Sequence, residues 1–534
     1  MKSKTLLAGL LVMAILLGSV AGGTNAATQD EIEQAITEGI GWLVTQQGEE
    51  GSWWWSVGHT GLAVVKLEDR AFELGYDPFD EAYAYSGNVI AGLDYIFGQA
   101  APSTCCSTCV VFALGHNEVY NTGIAMMAIA ASKAPDRVVD VSGSLVEGWT
   151  YQQVLQANVD YFACSQNPAD GGWRYEYPEE FSDNSATGYA VLGLGYAEAP
   201  LYGFECSIPA TLKNNLSAWI DAVQVDGETP HDGGSGYSQW DQTSNLLRAG
   251  NLIFEMAFVG DTPDASRMQR ALDYVGRAWN DPYWSWWDMH SYPGWYGNPD
   301  YDGNPNGPAE PPDWWQGDPT RWYGWQGPHY QAMYCLMKGL SFAGVDTILV
   351  DSVDVDWYQA FADRILATRT EQGYWPRDYW GDEVLATEWA LLTLERVAPP
   401  RVVPLDVKPG SCPNPLELGS KGVLPVAILG TDAVDVTQID PATVRLVGVS
   451  PLRWSVQDVA APFYPFTDKA DCVLDCTEAG PDGYLDLNLK FKLEKVVAAL
   501  GGVTDGQCLV LHLTANRFDG EAIEGEDVVI IRDR

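Results

Sequence analysis

The sequence predicts an α+β multidomain chain, an (α/α)6 toroid followed by a small β-sandwich. Three observations carry this prediction. A pattern of Gln, Gly and Trp followed by a Thr-x-x-Ala helix recurs in six units between about residues 30 and 398. Pro399-Pro400 then ends the helical periodicity. Beyond it, short β-branched runs alternate with Gly, Pro and Asp clusters. The boundaries that follow are 1–26 for an export signal, 27–398 for the toroid and 401–534 for the sandwich.

The export signal is read from Lys2 and Lys4, the apolar run from Leu6 to about Val20, and the small residues that end at Ala26. No later stretch has eighteen uninterrupted apolar residues, so the mature chain is expected to be secreted, extracellular or at the cell surface, without a membrane span. Apolar residues make up 46% of the 534 and aromatics 12%, which excludes wholesale disorder. Acids outnumber bases 72 to 30, giving a net charge of −42. Nucleic acid and polyanionic surfaces need clustered Lys and Arg, so neither is expected as a partner.

Unit one reads Trp42-Leu43, Gln47, Gly51-x-Trp53, then Thr60-x-x-Ala63-x-x-x-Leu67. Unit two keeps Thr122-x-x-Ala125-x-x-x-Ile129, and unit three Gln166, Gly171-x-Trp173 and Thr187-x-x-Ala190-x-x-x-Leu194. Unit four keeps Trp219-Ile220, Gln224 and Thr243-x-x-Leu246, unit five puts His329 in the Thr position, and unit six keeps Gln372-Gly373-x-Trp375 and Thr387-x-x-Ala390. The i, i+3, i+7 spacing lays Thr, Ala and Leu on one helical face. Thr or a polar neighbour is expected to cap the helix, small Ala to permit close approach, and the Gly-rich loop to turn tightly. One helical pair cannot bury both its faces, whereas six in series can close on each other.

These motifs resemble the squalene–hopene cyclase and prenyltransferase repeat superfamily over roughly 370 residues. The resemblance implies a central cavity opening at the N-terminal ends of the inner helices. In triterpene cyclases the proton donor lies in an Asp-x-Asp-Asp-Thr-Ala motif before an inner helix. Only unit four has an acid two places before its Thr: Asp241 matches the middle Asp, while Gln239 and Gln242 replace the other two. Asp183 stands four places before Thr187. An intact acid motif is therefore absent, and the expected function is a noncatalytic ligand-binding or cell-surface protein. Two alternatives stand beside it, a secreted polysaccharide-active lyase or hydrolase and a terpenoid cyclase or mutase using Asp241.

Candidate catalytic residues are accordingly Asp241, Asp183 and His329, with Asp378 a further carboxylate for paired-acid hydrolysis. Asp241 reads also as a helix cap. Candidate ligand-contacting aromatics are Trp53, Trp173, Trp240, Trp322, Trp325, Trp375 and Tyr379. Trp322 and Trp325 close a loop from Asn280 to Pro328 that is rich in Trp and Asp, read either as a binding rim or as a self-packed plug. The expected ligand is a small lipid or a glycan.

Ten cysteines in an exported chain favour disulfides. Cys105-Cys106-x-x-Cys109 also suits part of a zinc site. Cys412, Cys472, Cys476 and Cys508 are expected to pair among themselves. The strand-like runs of the last quarter are Val402-Val403, Val423–Leu429, Val444–Val447, Leu485–Leu489, Leu509–Leu513 and Val528–Ile531. Leu405 to Gly410 with Pro425 to Leu429 resembles a C-terminal domain recurrent in exported archaeal and bacterial proteins. Asp482 and Asp486 lie in an oxygen-rich loop that suits calcium, or a solvated turn pinned by disulfides.

Overall fold

The computed structural model describes residues 26–113, 117–204, 206–280, 283–284, 292–296, 327–378, 380–396, 400–431, 434–467, 469–518 and 521–533. The proposed export signal, His116, His290, Trp322, Trp325 and Tyr379 lie outside the described residues.

Helices dominate up to Leu394. They are α1 (Gln29–Val44), α2 (Val57–Glu73), α3 (Ser86–Gly98), α4 (Glu118–Ala131), α5 (Tyr151–Ser165), α6 (Asn184–Glu198), α7 (Ala210–Val223), α8 (Leu246–Phe258), α9 (Ser266–Ala278), α10 (Tyr330–Ala343), α11 (Trp357–Thr368) and α12 (Glu383–Leu394). Short antiparallel ribbons interrupt them: β1 (Ala100–Pro102) with β2 (Val110–Phe112), β3 (Tyr283–Trp284) with β4 (Tyr292–Pro293), and β5 (Thr347–Val350) with β6 (Val353–Asp356).

The two helix sets differ as their sequences require. α1, α7 and α9 bury a single stripe, whereas α2, α4, α6, α8, α10 and α12 are buried almost all round. Each even-numbered helix packs on the next, and α12 packs back on α2. Glycine permits the closest approaches. A Cβ at Gly123 of α4 would lie 2.2 Å from the Tyr189 carbonyl oxygen of α6, and one at Gly339 of α10 would lie 2.4 Å from the Gly250 carbonyl oxygen of α8. The close-approach role expected of Ala is thus filled by Gly at these crossings.

The repeat residues join loop to helix. The indole Nε1 of Trp53, Trp173 and Trp375 donates to the carbonyls of Leu43, Phe162 and Ile365, at 2.8, 3.0 and 2.7 Å, on the preceding helix. The backbone N–H of the same tryptophans donates to the hydroxyls of Thr60, Thr187 and Thr387 on the following helix, at 3.0, 3.0 and 3.1 Å. The Thr therefore sits in the first turns of its helix as a stitch to the loop and does not cap it. Gln47, Gln166 and Gln224 each donate to the carbonyl of the loop glycine and to a carbonyl of the next unit's helix (Asn88, Leu212, Arg267). Gly171 has φ +86 and a Cβ there would lie 2.1 Å from the Asn215 carbonyl, so both conformation and space demand glycine.

From Arg401 onward the chain forms sheets. They use β7 (Arg401–Val402), β8 (Leu405–Val407), β9 (Pro415–Leu418), β10 (Val423–Ile428), β11 (Ile439–Leu446), β12 (Arg453–Val456), β13 (Leu487–Lys492), β14 (Cys508–Arg517) and β15 (Ala522–Asp533), with the short helix α13 (Leu493–Ala499). One sheet runs β12-β13-β10-β8; the other runs β11-β14-β15-β7, with β9 also on β15. Val407, Val426 and Leu489 of the first share one buried cluster with Leu446, Leu511 and Ile531 of the second. β8, β9 and β12 escape the sequence pattern because two are brief and the third is exposed throughout. β15 is longer than its apolar run because it buries Glu524, Glu526 and Asp527 as well. The whole is mixed α+β.

The four disulfides are Cys105–Cys164, Cys106–Cys109, Cys412–Cys476 and Cys472–Cys508, and Cys206 and Cys335 are buried thiols. The last-quarter cysteines pair among themselves as expected, while the zinc reading of Cys105, Cys106 and Cys109 gives way to two bridges. No described helix is long and apolar enough to cross a membrane.

Thr187→Val leaves the buried Trp173 N–H without its acceptor. This is expected to cost about 1–3 kcal/mol, seen as a lower urea midpoint, while Thr187→Ser restores most of it. An unchanged midpoint in the Val variant would mean that the stitch carries no stability.

Candidate functional site

A cavity of about 1080 Å³ lies where the even-numbered helices begin. Its wall takes His59 and Leu62 from α2, Tyr120 and Ile124 from α4, Ser185 from α6, Arg248 from α8, Gln331 from α10, and Leu385 and Trp389 from α12. Tyr175, Tyr237, Asp241, Thr243 and Trp380 join from the approaching loops. Helix N-termini carry unpaired N–H groups and partial positive charge. The acids at this rim answer that need: Asp183 caps α6 through Ser185 and Ala186 N–H, and Asp382 caps α12 through Val384 and Leu385 N–H.

Asp241 is placed on the cavity but is fully engaged. Its Oδ1 accepts from the Thr243 N–H (2.9 Å) and hydroxyl (2.7 Å). Its Oδ2 accepts from the Tyr237 N–H (3.0 Å) and from Arg248 Nη1 (2.9 Å). Burial pushes its pKa up, but the Thr243 and Tyr237 hydrogen bonds and the Arg248 guanidinium outweigh burial and hold it below the ordinary carboxylate range. Nor does Asp241 cap the helix: α8 starts later than its sequence suggests, and Asn245 caps it through the Arg248 N–H.

Asp183 is the opposite case. It is wholly buried, its Oδ1 accepts from Ser185 and Ala186, and its Oδ2 lies 3.9 Å from Arg174 Nε, beyond hydrogen-bond distance. Burial dominates and pushes its pKa up despite those bonds. Beside it runs a tyrosine cluster. The Tyr175 and Tyr237 hydroxyls are 2.6 Å apart, and the Tyr120 ring lies 5.9 Å from Tyr175 and 5.1 Å from Tyr189. Burial and then the Asp183 charge push Tyr237 and Tyr120 above the ordinary phenol range.

His329 sits just before α10, and its Nδ1 lies 3.1 Å from Asp378 Oδ2; both side chains are buried. Asp378 also accepts from the Trp380, Gly381 and Gln331 N–H groups, so it organises the loop into α12. A second pair faces the cavity, His59 Nε2 at 3.3 Å from Asp382 Oδ2. Two turns deeper, Lys338 is buried with its Nζ 4.8 Å from the Tyr189 ring centroid, and burial pushes its pKa down.

The aromatic predictions divide. Trp53, Trp173 and Trp375 are buried and spent on the stitches above, so they are corrected from ligand contacts to structural residues. Trp240 is exposed at the rim, packed edge-on to Phe181. In the strand region Asp486 is buried, and both its oxygens accept backbone N–H groups of Gly430, Val459 and Ala460. Asp482 is exposed and accepts from the Tyr484 N–H. The proposed calcium pair is therefore separated in role, Asp486 being a main-chain clamp. Among the described residues no group of three or more His, Cys, Asp or Glu is arranged to hold a metal ion.

The sequence reading missed Tyr120, Tyr175, Tyr237, Arg248 and Trp380. A signal for one of them, Tyr120, exists in the repeat. The positions two before the repeat Thr, namely Gly58, Tyr120, Ser185, Asp241 and Leu385, all line the cavity. So do Leu62, Ile124, Asn245, Gln331 and Trp389, two after the Thr or its His equivalent.

Because the native pKa of Asp183 is raised, the folded state holds that proton more tightly than the unfolded one. Its contribution to stability is present below the ordinary Asp value of about 3.9 and lost as pH rises towards the native value. Asp183→Asn keeps the cap and removes this loss. A gain on the order of 1 kcal/mol at pH 7 but none at pH 3.5 is expected from urea midpoints. An equal shift at both pH values would contradict it.

No family model matches the chain, and no curated protein matches it.

Proposed function

We propose that the chain is an exported (α/α)6 toroid of the squalene–hopene cyclase and prenyltransferase repeat kind, followed by a β-sandwich. We propose further that it binds a ligand in its central cavity without turning it over. The packing circuit of the even-numbered helices, closed from α12 to α2, supports the toroid. The buried cluster shared by the two sheets supports the sandwich. Four disulfides support export. Function is argued from the site and not from the fold.

The observation that carries noncatalytic binding is the state of Asp241. A cyclase acid must be protonated to start a carbocation, and Asp241 is held as a carboxylate by Arg248 and Thr243. The cavity wall mixes tyrosine and tryptophan faces with amides and hydroxyls from Asn117, Asn121, Thr243 and Gln331, which suits a polar ligand better than a hydrocarbon.

A second reading, polysaccharide cleavage, has one observation in its favour. Asp183 and Asp241 flank Tyr237 and have their pKa values displaced in opposite directions, as an acid and a base require. Asp183 has no exposure, which favours binding over cleavage.

Native mass spectrometry of the protein with panels of neutral oligosaccharides and isoprenoids tests the proposal. A 1:1 adduct with an unchanged ligand mass over hours is expected from the polar panel, and Tyr120→Leu is expected to weaken it about tenfold, the loss of one stacking face. A ligand consumed with time would replace binding by catalysis, and an isoprenoid adduct alone would overturn the polar assignment.

A further inference from the structure

Among the described residues of the helical part, four tryptophans stand out from the buried set; the other exposed one, Trp454, lies on β12. Trp54, Trp55, Trp240 and Trp380 are 58, 76, 66 and 58% exposed. All four lie in the segments that lead into the even-numbered helices α2, α8 and α12, on the side where the cavity opens. Trp380 lines the cavity itself, Trp240 adjoins Asp241 in its wall, and the Trp54 ring lies 6.3 Å from that of His59, another wall residue.

In unit one the joint between loop and helices does not use Trp54 or Trp55. The stitch is complete with Trp53 alone, and Trp54 and Trp55 follow it outward. Both have left-handed backbones, φ +55 and +50, which bulky residues rarely adopt. The turn that holds them is fixed by the Trp55 N–H on Ser52 Oγ at 3.2 Å and the Ser56 N–H on the Trp53 carbonyl at 3.1 Å. Strain of this kind persists where the surrounding structure over-determines it, and it concentrates at binding sites.

The chemistry of the partner follows from charge and lining. With 72 acids against 30 bases, the chain repels polyanions and anionic membranes. Asp241 and Asp382 at the mouth are both held ionised, Asp382 by the His59 contact and the α12 N–H groups, which outweigh burial. A partner here is uncharged, offers flat C–H faces to indoles, and carries hydroxyls for carboxylates and amides. Pyranose rings meet all three requirements. Zwitterionic lipid tails meet only the second, and leave the amides and carboxylates unpaired.

We infer that Trp54, Trp55, Trp240 and Trp380 form a collar that binds a neutral polysaccharide chain across the cavity mouth. This rests on the proposed reading that the cavity takes a polar ligand, and extends it from a small molecule to a polymer. The collar supplies the stacking surface, and the cavity receives a chain end or a side branch.

Affinity electrophoresis of the full chain through gels containing hydroxyethylcellulose, xylan or laminarin tests the collar, with alginate as the anionic control. Retardation by at least one neutral polymer and none by alginate is expected. Trp54→Ala/Trp55→Ala, Trp240→Ala and Trp380→Ala are each expected to reduce retardation at least fivefold while far-ultraviolet circular dichroism and urea midpoint stay as in the wild type. Tyr120→Leu, a cavity change, is expected to weaken the small-ligand adduct about tenfold but to leave most polymer retardation. Loss of polymer binding in Tyr120→Leu alone would overturn the collar and leave the cavity. Unchanged retardation in all three collar variants, or sedimentation with phosphatidylcholine vesicles in place of any polymer binding, would overturn it too.

Discussion

Units one, three and six of the helical part each hang on one tryptophan. Its indole N–H reaches back to the helix before it, its backbone N–H reaches forward to a threonine on the helix after it, and the adjoining glutamine ties the same loop to the next unit. Three buried polar groups are satisfied at one point, and a large ring fills the space between two helices. Once that joint is made the angle between the helix before it and the helix after it is set, and so is the level at which α2, α6 and α12 start. The common starting level is what gathers the N-termini of α2, α4, α6, α8, α10 and α12 around one cavity. Gly171 and its counterparts Gly51, Gly233 and Gly373, all at positive φ, let the loop turn inside this joint.

Bringing helix N-termini together concentrates positive potential and unpaired N–H groups at one end of the molecule. The acids there are a structural answer first. Asp183 and Asp382 cap helices, Asp378 holds the loop before α12, and Asp241 folds the loop before α8 onto Arg248. Their pKa values diverge because their surroundings do: Asp241 accepts from four donors, one of them the Arg248 cation, whereas burial dominates at Asp183 and its Oδ2 has only Arg174 at 3.9 Å. The same rim thus carries one carboxyl whose pKa is lowered and one whose pKa is raised within one tyrosine-lined site. The geometry serves recognition of hydroxyl groups without supplying the free acid that carbocation chemistry demands.

Much of this architecture is legible in the sequence. The six repeat helices, four of them with Thr-x-x-Ala, the change of pattern at Pro399-Pro400 and the pairing of the last four cysteines emerge from spacing and composition alone. What spacing does not reveal is which partner a conspicuous residue serves. Trp53, Trp173 and Trp375 look like ligand surfaces because they are large and flank glycines, yet their N–H groups find carbonyls inside the fold. Trp54 and Trp55, their sequence neighbours, face outward only because the backbone turns left-handed there, which no composition rule anticipates. Tyr120 and Tyr237 come from different units and each meets Tyr175, the first ring to ring and the second hydroxyl to hydroxyl, so their cluster is invisible until the chain closes. Asp486 looks like a calcium ligand because acids flank a glycine turn, but its oxygens face three backbone N–H groups.

The division of tryptophans into buried joints and an exposed collar is the centre of this account. Site-resolved oxidation of indoles by N-bromosuccinimide, read by peptide mass spectrometry with and without a neutral polysaccharide, addresses it directly. The account predicts that Trp53, Trp173 and Trp375 stay unreactive in both states, and that Trp54, Trp55, Trp240 and Trp380 react freely alone and are protected together by the polymer. Reaction of the buried three in the folded protein, or protection that spares the collar, would contradict it.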